Sequence, residues 1–137
     1  MATLTLDRLR PLFGATDPEE YPVIASDIIY SGAAVGENGS GFARPLVAGD
    51  RFLGFAYQQA NNSAGAAGAI NVKVYTKGVI QLPIASLAIT ANDRPVLYAS
   101  DDDTFTLTST NNSRIGTVRR FISTGLARIS FDADYSA

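Results

Sequence analysis

Asn61-Asn62-Ser63-Ala64-Gly65-Ala66-Ala67-Gly68 runs into Ile70-Asn71-Val72-Lys73-Val74-Tyr75-Thr76, and this junction decides the fold. In the second segment Ile70, Val72 and Val74 point one way while Asn71, Lys73 and Tyr75 point the other. That is the period-two signature of a half-buried antiparallel strand. The first segment is too small and polar to pack a core and reads as a mobile or tightly turned loop. Gly78 is expected to mark a bulge or tight bend, after which Ile80, Leu82 and Ile84 share a face. Downstream come Pro95 to Ala99, Asp101-Asp102-Asp103 as a turn before Thr104 to Thr108, and Asn111-Asn112-Ser113 as another turn. Ser113 to Val118 and Leu126 to Phe131 complete the series, with Ser123-Thr124-Gly125 between the last two strands. Leu87 to Asn92 is the one stretch suited to a helical turn.

Upstream the texture is the same from Ala25 onward. Asp27 to Val35 is apolar and rich in β-branched residues, and Gly36 to Gly41 is a turn-rich loop. Asn38-Gly39 suits a two-residue hairpin turn, since both residues tolerate positive φ. In Arg51 to Gln59, strict alternation puts Arg51, Leu53, Phe55 and Tyr57 on one face and Phe52, Gly54 and Ala56 on the other. Short strands at this spacing predict an all-β fold, a single small barrel or sandwich over residues 24–137. Closure of the sheet would hide edges that otherwise aggregate.

Residues 1–23 differ. Pro11, Pro18 and Pro22 break any long helix or central strand, so an extended arm is expected. Thr3-Leu4-Thr5-Leu6 alternates like a short strand, and Asp17-Pro18-Glu19-Glu20 is able to start a helical turn. Leu4, Leu6, Leu9, Leu12 and Phe13 make the arm too apolar for a free tail, which predicts docking on a neighbouring subunit or another protein. On that reading, deleting residues 2–20 leaves the β domain folded.

A chain of 137 residues fits one domain and is expected to expose roughly 6,900 Å². The formal net charge of −2 offers no basic excess for phosphates, which argues against nucleic acid as a partner. No His and no Cys are present, so disulfides, thiolate zinc sites and imidazole bases are excluded. No apolar run approaches the roughly 18 residues of a membrane helix, and Asp7, Arg8 and Arg10 interrupt any signal-peptide core.

Chemistry-bearing clusters reduce to a few. Asp101-Asp102-Asp103 lacks the alternating spacing of a calcium loop and reads as a solvated turn. The Gly-rich runs lack the Lys-Ser or Lys-Thr of a phosphate loop. Asn38-Gly39-Ser40, Asn61-Asn62-Ser63 and Asn111-Asn112-Ser113 match the glycosylation triplet, which reads as chance without a secretion signal. No spacing selects a carboxylate pair for glycoside hydrolysis. No enzyme activity, cofactor or metal is therefore expected. Arg119-Arg120, with Arg114 and Arg128, is the one basic cluster; strand alternation sends Arg119 and Arg120 to opposite faces, so at most one of them joins a given patch. Tyr30, Tyr57 and Tyr75 are candidates either for an interface or for core packing.

Asn62-Ser63-Ala64-Gly65, Lys77-Gly78-Val79, Val96-Leu97-Tyr98-Ala99-Ser100-Asp101-Asp102 and Ile115-Gly116-Thr117-Val118 occur in an order that resembles the small β-barrel decoration, or cement, proteins of tailed-bacteriophage capsids. The likeness covers about half the chain well and Ala25 to Gln58 more loosely; residues 1–23 lie outside it. It implies a β-tulip-like domain and a structural protein on the outer capsid surface of the virion, made in the host cytoplasm. Its implied partners are the major capsid protein and further copies of itself, as a trimer. The expected capsid or subunit interface is Leu4, Leu6, Leu9, Leu12, Phe13, Arg119 and Arg120. The alternative is a receptor- or glycan-binding β domain, such as a head-fibre base or tail adhesin.

Overall fold

The computed structural model describes residues 4–135, so Thr3 of the expected Thr3–Leu6 strand lies outside it. The described strands are β1 (Leu12–Pro22), β2 (Asp27–Ile29), β3 (Ala34–Glu37), β4 (Ala43–Pro45), β5 (Arg51–Ala56) and β6 (Ala60–Asn62). They continue with β7 (Asn71–Pro83), β8 (Val96–Ala99), β9 (Phe105–Thr106), β10 (Ser113–Ser123) and β11 (Leu126–Asp132). Short 3-10 turns occupy Ile89–Asp93, overlapping the expected helical turn, and Ala133–Tyr135. The protein is all-β. One sheet runs β4-β3-β5-β7-β11-β10-β8-β9 with β1 added on β7, and β2 pairs with β6 separately. The strands do not close into a barrel; of the two expected architectures, the small sandwich-like one fits. The exposed area, 6697 Å², is close to that expected for this length.

The alternating segment that decides the fold is also its spine. Along one edge of β7 lies β1; along the other lie β5, opposite Val74 and Tyr75, and then β11, opposite Lys77 to Pro83. The sheet therefore forks at β7. Its two branches meet again where the Ala34 amide donates to the Asp102 carbonyl at 3.0 Å and where Val47 bridges Asp101. One core fills the space between the branches: Phe52, Phe55, Phe105 and Phe131 with Ile80, Leu82, Leu97, Ile115 and Ile129. Phe55 meets Phe52 and Phe131 edge-to-face at centroid distances of 5.4 and 5.0 Å, the favoured aromatic geometry. A second core gathers Leu4, Val23, Ile29, Val35, Val72 and Val74. Close approach of β10 to β11 requires Gly116, where a Cβ would collide with the Ser130 carbonyl.

Three local expectations are corrected. Phe52 and Phe55 share one core, against strict alternation. The register shifts between the Val35–Gly54 and Gly36–Phe52 pairs, so Leu53 is an extra bulge residue and parity inverts across it. The bulge expected at Gly78 sits instead on the partner strand, between Leu12 and Ala15, and β7 runs through without a break. Residues 38–42 form a longer loop than a two-residue hairpin turn. Asn38 Oδ1 accepts the Ser40 and Phe42 amides, and Glu37 accepts those of Gly39 and Gly41.

The N-terminal arm is extended, but it docks on its own chain. Residues 12–22 form β1, including Asp17 to Glu20, which are strand and not a helical turn. The prolines are tolerated because β1 pairs with β7 alone. Val23, the last residue of the expected arm, is fully buried and bridges Ala43. Leu4 is buried in the second core. Between them, Arg8 donates its amide to the Ser31 carbonyl, and Asp7 accepts the Ser31 amide and a Gln59 side-chain N–H. Gly32 lies so close beneath the Arg8 carbonyl that no side chain fits there.

Arg10 is the anchor of this segment. Its side chain is 3% exposed, and it donates to the Gly32 carbonyl at 2.7 Å and to Asp103 Oδ1 at 2.6 Å. Its guanidinium also lies over Phe105. Burial lowers its pKa, and the Asp103 hydrogen bond opposes that shift. The triple-aspartate run is thus no solvated turn. Asp102 is fully buried, and Asp103 is largely covered and holds Arg10, with Arg8 at 3.7 Å. Removing one partner of a buried ion pair leaves an uncompensated charge and typically costs about 3–5 kcal/mol. Arg10→Ala is therefore expected to lower stability by about 3 kcal/mol in urea titration. Deleting residues 2–20 removes this anchor and most of β1, and is expected to abolish cooperative unfolding followed by circular dichroism; a truncated protein that melts as sharply as the full chain would show the arm to be dispensable.

Candidate functional site

The N-terminal segment that Arg10 pins down also carries four of the six large apolar side chains exposed among the described residues, the others being Ile89 and Leu107. Leu9 is 91% exposed and Leu6 62%, with Leu12 and Phe13 also exposed. They are exposed because the residues between them hold the backbone: Asp7 and Arg8 bond to Ser31 and Gln59, and Arg10 turns inward. The five apolar arm residues thus divide. Leu4 belongs to the chain's own core, and the other four make residues 6–13 an exposed apolar ridge, with Leu12 on the Ile80 side of the sheet and Phe13 on the Arg128 side.

Beside Leu9 and Leu12 is a hollow of about 120 Å³, lined also by Phe55, Ile80, Tyr57 and Tyr75. Tyr57 and Tyr75 stack with centroids 4.3 Å apart. A shallower groove of about 310 Å³ lies against Tyr57 with Pro18, Glu19 and Glu20. A wider concavity, about 410 Å³, is elsewhere, around Ile84 to Ala91 and Thr106 to Thr108, and Asp93 is its one charged lining residue.

On the other side of Phe13 lies Arg128, whose guanidinium carbon is 3.8 Å from the ring centroid, a cation–π contact. Arg128 is the direct cross-strand partner of both Gln81 and Arg120. Arg119 and Arg120 are both exposed, and the register shift between Val118 and Arg120 places Arg119 in a bulge, so strict alternation does not apply to the pair. Arg114 is exposed further back on β10, opposite Tyr98.

The site residues expected from sequence thus fall in three places: Leu4 inside, Leu6, Leu9, Leu12 and Phe13 on the ridge, and Arg119 and Arg120 at the far end of β10. Arg128 joins the last two groups, and its contact with Phe13 was not legible because the residues are more than a hundred positions apart. Asn62 was also missed. It is 3% exposed and donates to the Ile24 and Ala66 carbonyls at 2.8 and 3.0 Å, which holds the Asn61–Gly68 loop tightly turned. Among the described residues no group of three or more Cys, His, Asp or Glu side chains is arranged to hold a metal ion. No helix of the described residues is long and apolar enough to cross a membrane.

No family model matches the chain, and no curated protein matches it.

The division of the leucines is directly measurable. Leu4→Asp buries a carboxylate without a partner and is expected to cost more than about 3 kcal/mol. Leu9→Asp adds a charge at an exposed position and is expected to change stability by less than about 0.5 kcal/mol. Urea midpoints of the two variants separate these outcomes.

Proposed function

We propose that this chain is a non-catalytic structural protein that decorates the outer surface of a tailed-phage head, bridging major capsid proteins and stabilising the shell. The observation that carries the reading is the ridge of Leu6, Leu9, Leu12 and Phe13, held outward on a segment anchored by a buried ion pair. Large apolar side chains on a rigid backbone suit protein contact, because little conformational entropy remains to be lost on binding. Each such side chain contributes about 1.5–3 kcal/mol when fully buried. The ordered sequence likeness to capsid decoration proteins supplies the partner.

The motif residues of that likeness serve the framework: Asn62 ties its loop, Gly116 admits β11, and Asp102 is buried between the two branches. A shared framework accounts for a likeness spread over loops and strands with no shared catalytic group. Copies associate on the shell, as a trimer by the same likeness, and many weak contacts then add through avidity. The second reading, a receptor- or glycan-binding domain, draws on the groove where Tyr57 stands beside Glu19 and Glu20.

Co-sedimentation with purified expanded heads tests the proposal. The wild-type protein is expected to pellet with heads and to raise their resistance to heat. Leu9→Asp with Leu12→Asp should weaken binding at least about tenfold with unchanged fold, corresponding to about 1.4 kcal/mol. A protein that stays in the supernatant at all ratios refutes the capsid reading; retention on a glycan array would favour the second one.

A further inference from the structure

The outer face of the sheet carries a row of four side chains from four adjacent strands: Phe13 of β1, Gln81 of β7, Arg128 of β11 and Arg120 of β10. Two features of this row are unbalanced. Arg120 and Arg128 are direct cross-strand partners, and like charges placed opposite each other repel. Arg128 also has a buried Nε with no hydrogen-bond acceptor. Among the described residues no carboxylate stands at ion-pair distance from Arg119, Arg120 or Arg128. A guanidinium resting on an aromatic face, with a second cation beside it and no carboxylate in reach, is short of an anion.

Matching carboxylates are carried by the chain itself, at the opposite end of the same sheet. Asp17, Glu19 and Glu20 on β1 are exposed and make no ion pair among the described residues. Glu20 lies opposite Lys73, whereas Arg128 lies opposite Gln81, eight residues further along β7. At ~3.3 Å per residue Glu20 lies ~26 Å along the sheet from the arginine row, and Asp17, between the Thr16–Lys77 and Pro18–Tyr75 pairs, about 16 Å from it, beyond the reach of the side chains, so one copy cannot join its own ends.

We propose that the Phe13–Arg128–Arg120 face of one copy receives the Asp17–Glu19–Glu20 edge of a second copy. The contact is head-to-tail, between unlike patches, and it closes into a ring or extends as a chain according to the angle between copies. With a formal net charge of −2 the molecules repel weakly as wholes, so attraction is confined to the unlike ends. Its range is about 8 Å at physiological ionic strength, and it weakens as salt rises. The inference rests on the self-association proposed above; Phe13 is shared with the ridge proposed to meet the shell, so the variants that test it change only charged residues.

Sedimentation velocity of the full chain without heads tests it, with Arg120→Glu/Arg128→Glu and Glu19→Lys/Glu20→Lys as variants. The wild type is expected to associate at low salt and to dissociate as salt is raised. Each variant alone should associate at least about tenfold more weakly. An equimolar mixture should recover association, because one variant then carries acid at both ends and the other base at both ends. Arg119→Glu/Arg120→Glu, at two exposed positions, replaces the first variant if Arg128→Glu fails to fold. Association that persists unchanged in both variants overturns these surfaces while leaving self-association standing. A wild type that is monomeric at low salt and high concentration overturns both. A monomeric wild type whose arginine variant fails to bind heads assigns the cationic row to the shell and overturns the proposal.

Discussion

A strand has two edges, and β7 uses both along most of its length. β1 takes one edge, and β5 and β11 divide the other between them. This shared edge makes the sheet fork. It sets the two branches on either side of the phenylalanine cluster, to which β5 contributes Phe52 and Phe55 and β11 contributes Phe131, and it leaves no continuous ladder to close into a barrel. It also explains why one face of β7 serves both cores. Val72 and Val74 pack in one, while Ile80 and Leu82, of the same parity, pack in the other. Backbone hydrogen bonds on both edges hold this strand in place, and the rest of the sheet is positioned relative to it.

What the sequence made legible was what depends on parity within one strand. The buried face of β7 and the turns between later strands follow from alternation and from turn chemistry alone. Alternation fails wherever one residue is inserted. The bulge at Leu53 inverts the face of Phe52 relative to Phe55, and the shift after Val118 displaces Arg119. Neither site carries a distinctive residue, because a bulge is selected by the partner strand's register as much as by its own sequence. The stacking of Arg128 on Phe13 was hidden for a related reason. It depends on which strands are neighbours, and short strands with similar patterns do not encode their order.

The N-terminal segment was read for its leucines, whereas Arg10 determines how it sits. The desolvation cost of the buried guanidinium is partly offset by its bonds to the Gly32 carbonyl and Asp103, and that carboxylate in turn gains the partner that a closely spaced aspartate run needs. The pair joins residues 93 positions apart and ties the arm to the turn that precedes β9. Neither residue stands out alone: one is an arginine in a polar and apolar mixture, and the other ends a run that resembles an exposed turn. Burial of this pair also gives the segment a fixed geometry, and the outward leucines follow from it.

The remaining edge of β1 constrains how any partner is recognised. An exposed edge strand ordinarily invites main-chain pairing. In this chain Leu4 is committed to the second core, and β1 itself is the edge on offer. Pro18 and Pro22 remove amide donors from that edge, the bulge between Leu12 and Ala15 breaks its register, and Glu19 and Glu20 place charge along it. These are the devices by which natural sheets prevent strand addition. A partner at β1 therefore has to be bound by side chains: apolar groups against the ridge, and complementary charge at the carboxylates. That requirement favours recognition that is specific and reversible over the open-ended stacking that a bare edge would permit.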